Sequence, residues 1–297
     1  MKRLFTILLI GLFSLCPSYV NANARIIAST SVLASIAKEI GAELVKVDYI
    51  CPSGSNPHSI EVMPSYMIKV ARADVYLKIG MGLDFWANPI IDGSRNGKLV
   101  IVDCSEGIVP LEVPTEKVNA SMGDLHVQGN PHYWLDPSNG LLIAMNILNG
   151  LIKIDPSNRQ AYQEGYDRFR SVLLEKIDIW RKKALPLQGK QIVTFHNSWP
   201  YFAKAFGLKV AGFVEPKPGI EPTPSHTAEL ISLIRALDIQ LIGKEPYFSD
   251  RVPRSIAAAT GVKVVILPPS VGGAYGIDNY FGLFDYLLDE LLNSEGE

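Results

Sequence analysis

The chain has 297 residues, 47% of them hydrophobic and 20% charged, with a formal net charge of −2. That is ordinary globular composition, enough for one large domain or two lobes. No basic block or arginine-rich patch is present, which excludes the usual electrostatic footprint of a nucleic-acid binder.

The chain opens with Lys2 and Arg3, the apolar run LFTILLIGLFSL and a small-residue ANA at 22–24. This is the pattern of a secretory leader cleaved after Ala24. The run is too short to cross a bilayer, which takes roughly 20 residues. Cys16 sits in FSLC, without the small residue expected before a lipidated cysteine. The expectation is therefore a soluble protein exported by a cleaved leader, located in the periplasm. Loss of the leader leaves 26 Lys+Arg against 30 Asp+Glu. It also leaves two cysteines, Cys51 and Cys104, both at the ends of predicted strands. An oxidising compartment permits a bridge between them, but the sequence leaves the pairing open. Without CxxC spacing they are a poor zinc signal.

Short β-branched runs then alternate with amphipathic segments. RIIAST, VKVDYI, DVYLKI and LVIVD read as strands, with helices at SVLASIAKEIG, PSYMIKVARA and DFWANPII. After a long loop, Asp136 and Pro137 read as the cap and first residue of a helix over SNGLLIAMNILNGLIKI. The alternation resumes with strands KQIVTF, KVAGFV, IQLIG and KVVIL and ends in a helix over NYFGLFDYLLDELL. Strand–helix alternation predicts parallel sheets covered by helices. Between the halves, apolar or aromatic residues at 162, 166, 169, 173, 177, 180 and 184 mark one helical face. Asp155 and Pro156 suit its start and Pro186 its end. The predicted organisation is a leader (1–24), an N-terminal α/β lobe (25–154), a linking helix (155–185) and a C-terminal α/β lobe (186–297).

Of five histidines, three sit after strands: His58 in NPHSIEVMPS, His132 in GNPHYWLDPSN and His196 in TFHNSWPYF. Ligands of open α/β sheets bind outside the carboxyl ends of strands, so each points toward the same kind of crevice, and a cleft between the two lobes would bring them together. Neutral imidazole is a common ligand for zinc and its neighbours, and the fixed backbones of Pro57 and Pro131 would help aim the rings. Asp278, between a glycine-rich turn and the last helix, is the choice for a fourth ligand. Glu245 is its rival, and Glu215 and Glu221, in a proline-rich loop, rank below. His226 is expected to face solvent.

These stretches, the central helix and the terminal IDNYFGLFDYLL together resemble the periplasmic zinc- and manganese-binding proteins that serve ATP-binding-cassette importers. The resemblance covers essentially the whole mature chain. It implies two α/β lobes joined by one backbone helix, with the metal between them on His58, His132, His196 and Asp278. Many zinc-binding members carry a long loop rich in His, Asp and Glu before the second histidine. Here residues 113–131 hold only His126, with Glu116 and Asp124, so an accessory site in MGDLH is less expected than a polar loop.

The expected function is capture of a divalent metal, zinc first and manganese or iron as alternatives, for delivery to a membrane permease. The protein is expected to act as a monomer, without catalysis and without an organic substrate. A closed four-ligand shell would leave no position for a reacting water. Two other readings stay open, a secreted His-ligated zinc hydrolase and a two-lobed binder of an organic solute.

Overall fold

The computed structural model describes residues 23–115 and 126–294. The leader, Glu116 and Asp124 lie outside the described residues, apart from the leader's last two.

The expected pair of parallel-sheet α/β lobes is present. The first sheet holds β1 (Ala24–Thr30), β2 (Val45–Cys51), β3 (Val75–Lys78) and β4 (Val100–Asp103) in the order β2-β1-β3-β4. The second holds β5 (Gln191–Thr194), β6 (Lys209–Phe213), β7 (Leu241–Lys244) and β8 (Lys263–Ile266) in the order β6-β5-β7-β8. Every pairing within them is parallel. The two orders are the same, so the two halves repeat one architecture. In each sheet the first strand lies between the second and third, which makes a switch point at its carboxyl end.

The strands sort their side chains by the two-residue period of the pleat. Ile26, Ala28, Val75 and Leu77 face the main core, while Ile27 and Tyr76 face the second layer with α2 (Pro64–Ala71) and α3 (Ala87–Ser94). In the second sheet Ile192 and Leu241 join the main core with Phe202 and Phe206 of α6 (Pro200–Phe206), and Val193 and Ile242 face α7 (Pro224–Ala236) and α8 (Arg251–Thr260). The main core is one continuous cluster that takes residues from both sheets.

The linking helix α5 runs over Arg159–Lys183, about 38 Å at 1.5 Å per residue. It buries Tyr162, Tyr166, Phe169, Leu173, Ile177 and Trp180, the stripe read from the sequence, and Ala184 just beyond it is buried too. Its start is shorter than expected. Asp155 precedes a single 3₁₀ turn, Pro156–Asn158, its carboxylate accepting from the side chains of Ser157 (Oγ, 2.6 Å) and Asn158 (Nδ2, 2.7 Å), and α5 begins after that turn. The stripe packs on α1 (Ser31–Gly41), α4 (Gly140–Ile154) and the last helix, α9 (Tyr280–Asn293). From α9, Asp285 receives Lys176 Nζ at 2.8 Å and Trp180 Nε1 at 2.7 Å. The same helix also reaches the start of the chain: Tyr280 N donates to Ser35 Oγ of α1 at 3.0 Å.

Strand order settles the cysteines. Cys51 ends β2 and Cys104 follows β4, on opposite edges of one sheet. Three strand spacings put them about 14 Å apart, beyond the roughly 7 Å that a disulfide spans. Both are free and buried, and burial pushes the Cys51 thiol up to about 12. With so little thiolate at neutral pH, protein lacking the leader should show no thiol reactive to Ellman's reagent when native, and both once denatured. One bridged pair in the denatured chain would contradict this strand order.

Candidate metal site

Three loops at strand carboxyl ends carry the site. His58 follows β2, His132 follows β4 by way of the 104–131 connection, and His196 follows β5, the switch strand of the second sheet. Two of them share a local device. In Asn56-Pro57-His58 and in Asn130-Pro131-His132 the asparagine Oδ1 accepts the histidine backbone N–H, at 3.0 Å in both cases. This side-chain turn, with proline's fixed φ between, sets the direction from which each ring leaves the backbone. The rest of GNPHYWLDPSN anchors the segment. Tyr133 OH donates to Ile79 O at 2.7 Å, and Trp134 Nε1 donates to Pro269 O at 2.8 Å beyond β8. Asp136 caps the 3₁₀ turn Pro137–Asn139 that leads into α4, accepting from Ser138 N at 2.8 Å.

The structure brings His58, His132 and His196 together: one nitrogen of each lies within 4.8 Å of the others. His58 Nε2 and His132 Nε2 are 3.1 Å apart, close to the roughly 3.4 Å between two nitrogens on one tetrahedral zinc at 2.0–2.1 Å. Every Nδ1 has a partner of its own. His132 Nδ1 meets Asn130 Oδ1 at 3.0 Å, His196 Nδ1 meets Glu215 Oε2 at 2.7 Å, and His58 Nδ1 meets His126 Nε2 at 3.3 Å. Partners on Nδ1 leave Nε2 to face the ion, the arrangement that orients metal-binding histidines. His132 and His196 are buried and His58 is half-buried. The cavity they line, with Asn130, Asn197 and Pro218, measures about 20 Å³. That is room for an ion, whereas organic ligands occupy several hundred Å³.

The acidic candidates fall differently from expectation. Asp278 is exposed and lies outside the three-histidine group. Ile277 beside it is buried, and Asn279, not Asp278, caps α9 by accepting from Gly282 N at 2.8 Å. Asp278 lies between the two, exposed. Glu245 is fully buried, its Oε1 accepting from Trp199 Nε1 at 3.0 Å and its Oε2 without a partner. Burial raises its pKa, against a lowering by His196. Glu221 is exposed. His226 is held by Phe213 O at 2.9 Å, away from the cluster. His126 lies in a loop, as expected, and that loop sets it behind His58. Sequence reasoning passed over Asn56 and Asn130, although the repeated NPH triplet was a usable signal. It ranked Glu215 low because a proline-rich loop has no periodicity from which to read its inward turn.

Burial, and next the neighbouring imidazoles, hold His58 and His132 well below the ordinary histidine range. Unfolded, both titrate near 6.5. Below that value the unfolded chain binds more protons than the folded one. The metal-free protein is thus at full stability above about pH 6.5 and loses it as pH falls toward the lowered folded values. For His132, which is 2% exposed, the limiting slope is about 1.4 kcal/mol per pH unit. Chelator-treated protein should show a lower urea midpoint at about pH 5.5 than at about pH 7.5. Equal midpoints would mean that these rings are not buried neutral.

Two parallel-sheet lobes that close three imidazoles around an ion-sized space define a two-lobed α/β binding protein with a nitrogen-rich site. The model of the family described as zinc-uptake complex component A, periplasmic (ZnuA), matches residues 26–294, and the chain belongs to that family. It is 28% identical, over 99% of each chain, to the metal ABC transporter substrate-binding lipoprotein SloC of Streptococcus mutans. It is 27% identical to the manganese ABC transporter substrate-binding lipoprotein PsaA of Streptococcus anginosus, covering 90% of this chain and 87% of that one. A crystal structure of ZnuA superposes with a TM-score of 0.81 at 26% identity, over 92% of this chain and 99% of that one.

Proposed function

We propose that this protein captures one divalent metal ion, zinc before manganese, on His58, His132 and His196. It then passes the ion to the membrane permease of an ATP-binding-cassette importer. The observation that carries the reading is the donor set: three neutral nitrogens share the centre, and no carboxylate joins them among the described residues. Imidazole suits zinc, whereas manganese favours oxygen-rich sites. The family's description supports uptake of zinc, and PsaA's name is the reason to keep manganese as the alternative. Export to the periplasm by a cleaved leader, function as a monomer, and the division into lobes 25–154 and 186–297 around the linking helix belong to the same proposal.

With Asp278 outside the group, a closed shell no longer argues against hydrolysis, since three histidines plus water is also a catalytic set. Access takes over that argument: a cavity of about 20 Å³ does not admit a substrate beside the ion.

The test is competition titration of chelator-stripped protein with zinc and manganese. One tight zinc per chain is expected. His196→Glu, which adds an oxygen donor and a charge, should shift the zinc-to-manganese affinity ratio toward manganese by at least about tenfold. A wild-type chain that binds neither ion tightly ends the proposal. A ratio left unchanged by His196→Glu removes His196 from the ligand set.

A further inference from the structure

We infer that Glu215 is the positioning and charge-balancing residue of the metal site, acting through His196, and that it links ion occupancy to the turn at residues 217–220. This rests on the metal-binding reading above.

A dication held by three neutral imidazoles is a buried, uncompensated charge, which proteins avoid. With Asp278 exposed, the balancing anion has to be sought behind the ligands. Each ring's outer nitrogen shows what stands there. Behind His132 is the neutral amide of Asn130, whose Nδ2 donates to Glu112 Oε2 at 3.0 Å; Glu112 is exposed, so its charge is screened by water. Behind His58 is another imidazole, His126. Behind His196 is a carboxylate in direct contact: Glu215 Oε2 lies 2.7 Å from Nδ1, and the two side chains are only 8% and 4% exposed. A short contact between buried partners is the strong, charge-assisted kind. It holds the ring with Nδ1 as donor and Nε2 as the ligand, and it raises the electron density offered to the ion.

Glu245 also lies near His196, but its bonded oxygen serves Trp199 and it makes no hydrogen bond to a ring of the cluster. Glu215 therefore stands apart among the carboxylates around the site.

The backbone explains how Glu215 reaches His196. It follows β6, the neighbour of β5, and its N–H donates to Phe195 O at 3.1 Å, so the two strand ends lie side by side. The segment EPKPGIEPTP that begins with it carries four prolines, which limit the conformations the loop can take. The oxygen that meets His196 also accepts Gly219 N at 3.3 Å, inside a turn tied by the Lys217–Ile220 bridge. Pro218 of that turn lines the ion-sized cavity. One carboxylate oxygen thus holds both a ligand ring and part of the cavity wall.

The test uses the full mature chain with Glu215→Gln, which keeps shape and an acceptor oxygen but removes the charge, and Glu215→Asp, which keeps the charge on a shorter arm. Zinc affinity is read by chelator competition and the site's geometry by the visible spectrum of bound cobalt(II). Glu215→Gln should lose about 10–100-fold in zinc affinity and change the cobalt bands, and Glu215→Asp should recover part of both. A purely structural role would lower the melting temperature and leave the cobalt spectrum of the folded fraction as in wild type. In wild type, the Gly219 amide should exchange more slowly with zinc bound than without. Wild-type zinc affinity and cobalt spectrum in Glu215→Gln overturn the inference. If that variant does not fold, a Glu215→Asp protein no different from wild type, with Gly219 exchange indifferent to zinc, overturns it equally. A wild-type chain that binds neither zinc nor cobalt defeats the underlying metal reading instead.

Discussion

His132→Ala should lower zinc affinity by about 10²–10³-fold, while Asp278→Asn should leave it within about threefold. Structural zinc sites bind with roughly 10–16 kcal/mol over four ligands, so one lost nitrogen costs about 2.5–4 kcal/mol. Of the three proposed ligands, His132 is the least able to be replaced. It is 2% exposed, its backbone and its Nδ1 are both held by Asn130, and Asn130 is in turn held by Asn197 O at 2.8 Å across the site. A water in the space left by the imidazole is a weaker donor. Asp278 is exposed beyond the helix cap, so an amide in its place changes only surface charge. Competition with a chromophoric chelator measures both variants. An Asp278→Asn loss comparable to that of His132→Ala would show that the carboxylate moves in when metal binds, restoring the four-ligand set expected from the sequence.

Trp180→Ala should destabilise the protein by about 3–5 kcal/mol, the usual cost of emptying a buried aromatic site. Trp180 is fully buried near the end of the linking helix, with its ring centroid 4.9 Å from that of Phe284. Its Nε1 donates to Asp285 Oδ1 at 2.7 Å. Truncation opens a cavity between α5 and α9 and leaves that carboxylate oxygen short of a donor. Ile179, 48% exposed on the same helix, is the control, and Ile179→Ala should cost less than about 0.5 kcal/mol. Denaturant midpoints compare the two. Equal losses would mean that α5 does not pack by its buried stripe.

The linking helix was legible because its signal is repetitive. From Tyr162 to Ala184 each apolar position reinforces the last, and local irregularity at Asp155 shifts only the start. The strands were legible for the same reason. The three histidines were legible because topology gives strand ends a shared direction even when their loops differ. Asp278 was harder to read, because a one-residue offset between the last strand and the last helix decides which of 277, 278 and 279 turns inward, and in the structure it is Ile277 that is buried. Glu215 was obscured for the opposite reason. Its partner lies 19 residues away on a neighbouring strand end, and that pairing depends on sheet order, which no local pattern in the loop encodes.

The bond between Tyr280 and Ser35 ties the last helix to the first across 245 residues. The α1 surface beneath α9 is therefore completed only by residues near the end of the chain. Contacts of such sequence separation form late and slowly. Until α9 docks, the early segments lack this packing partner, and the fold closes only when the C-terminal helix is in place.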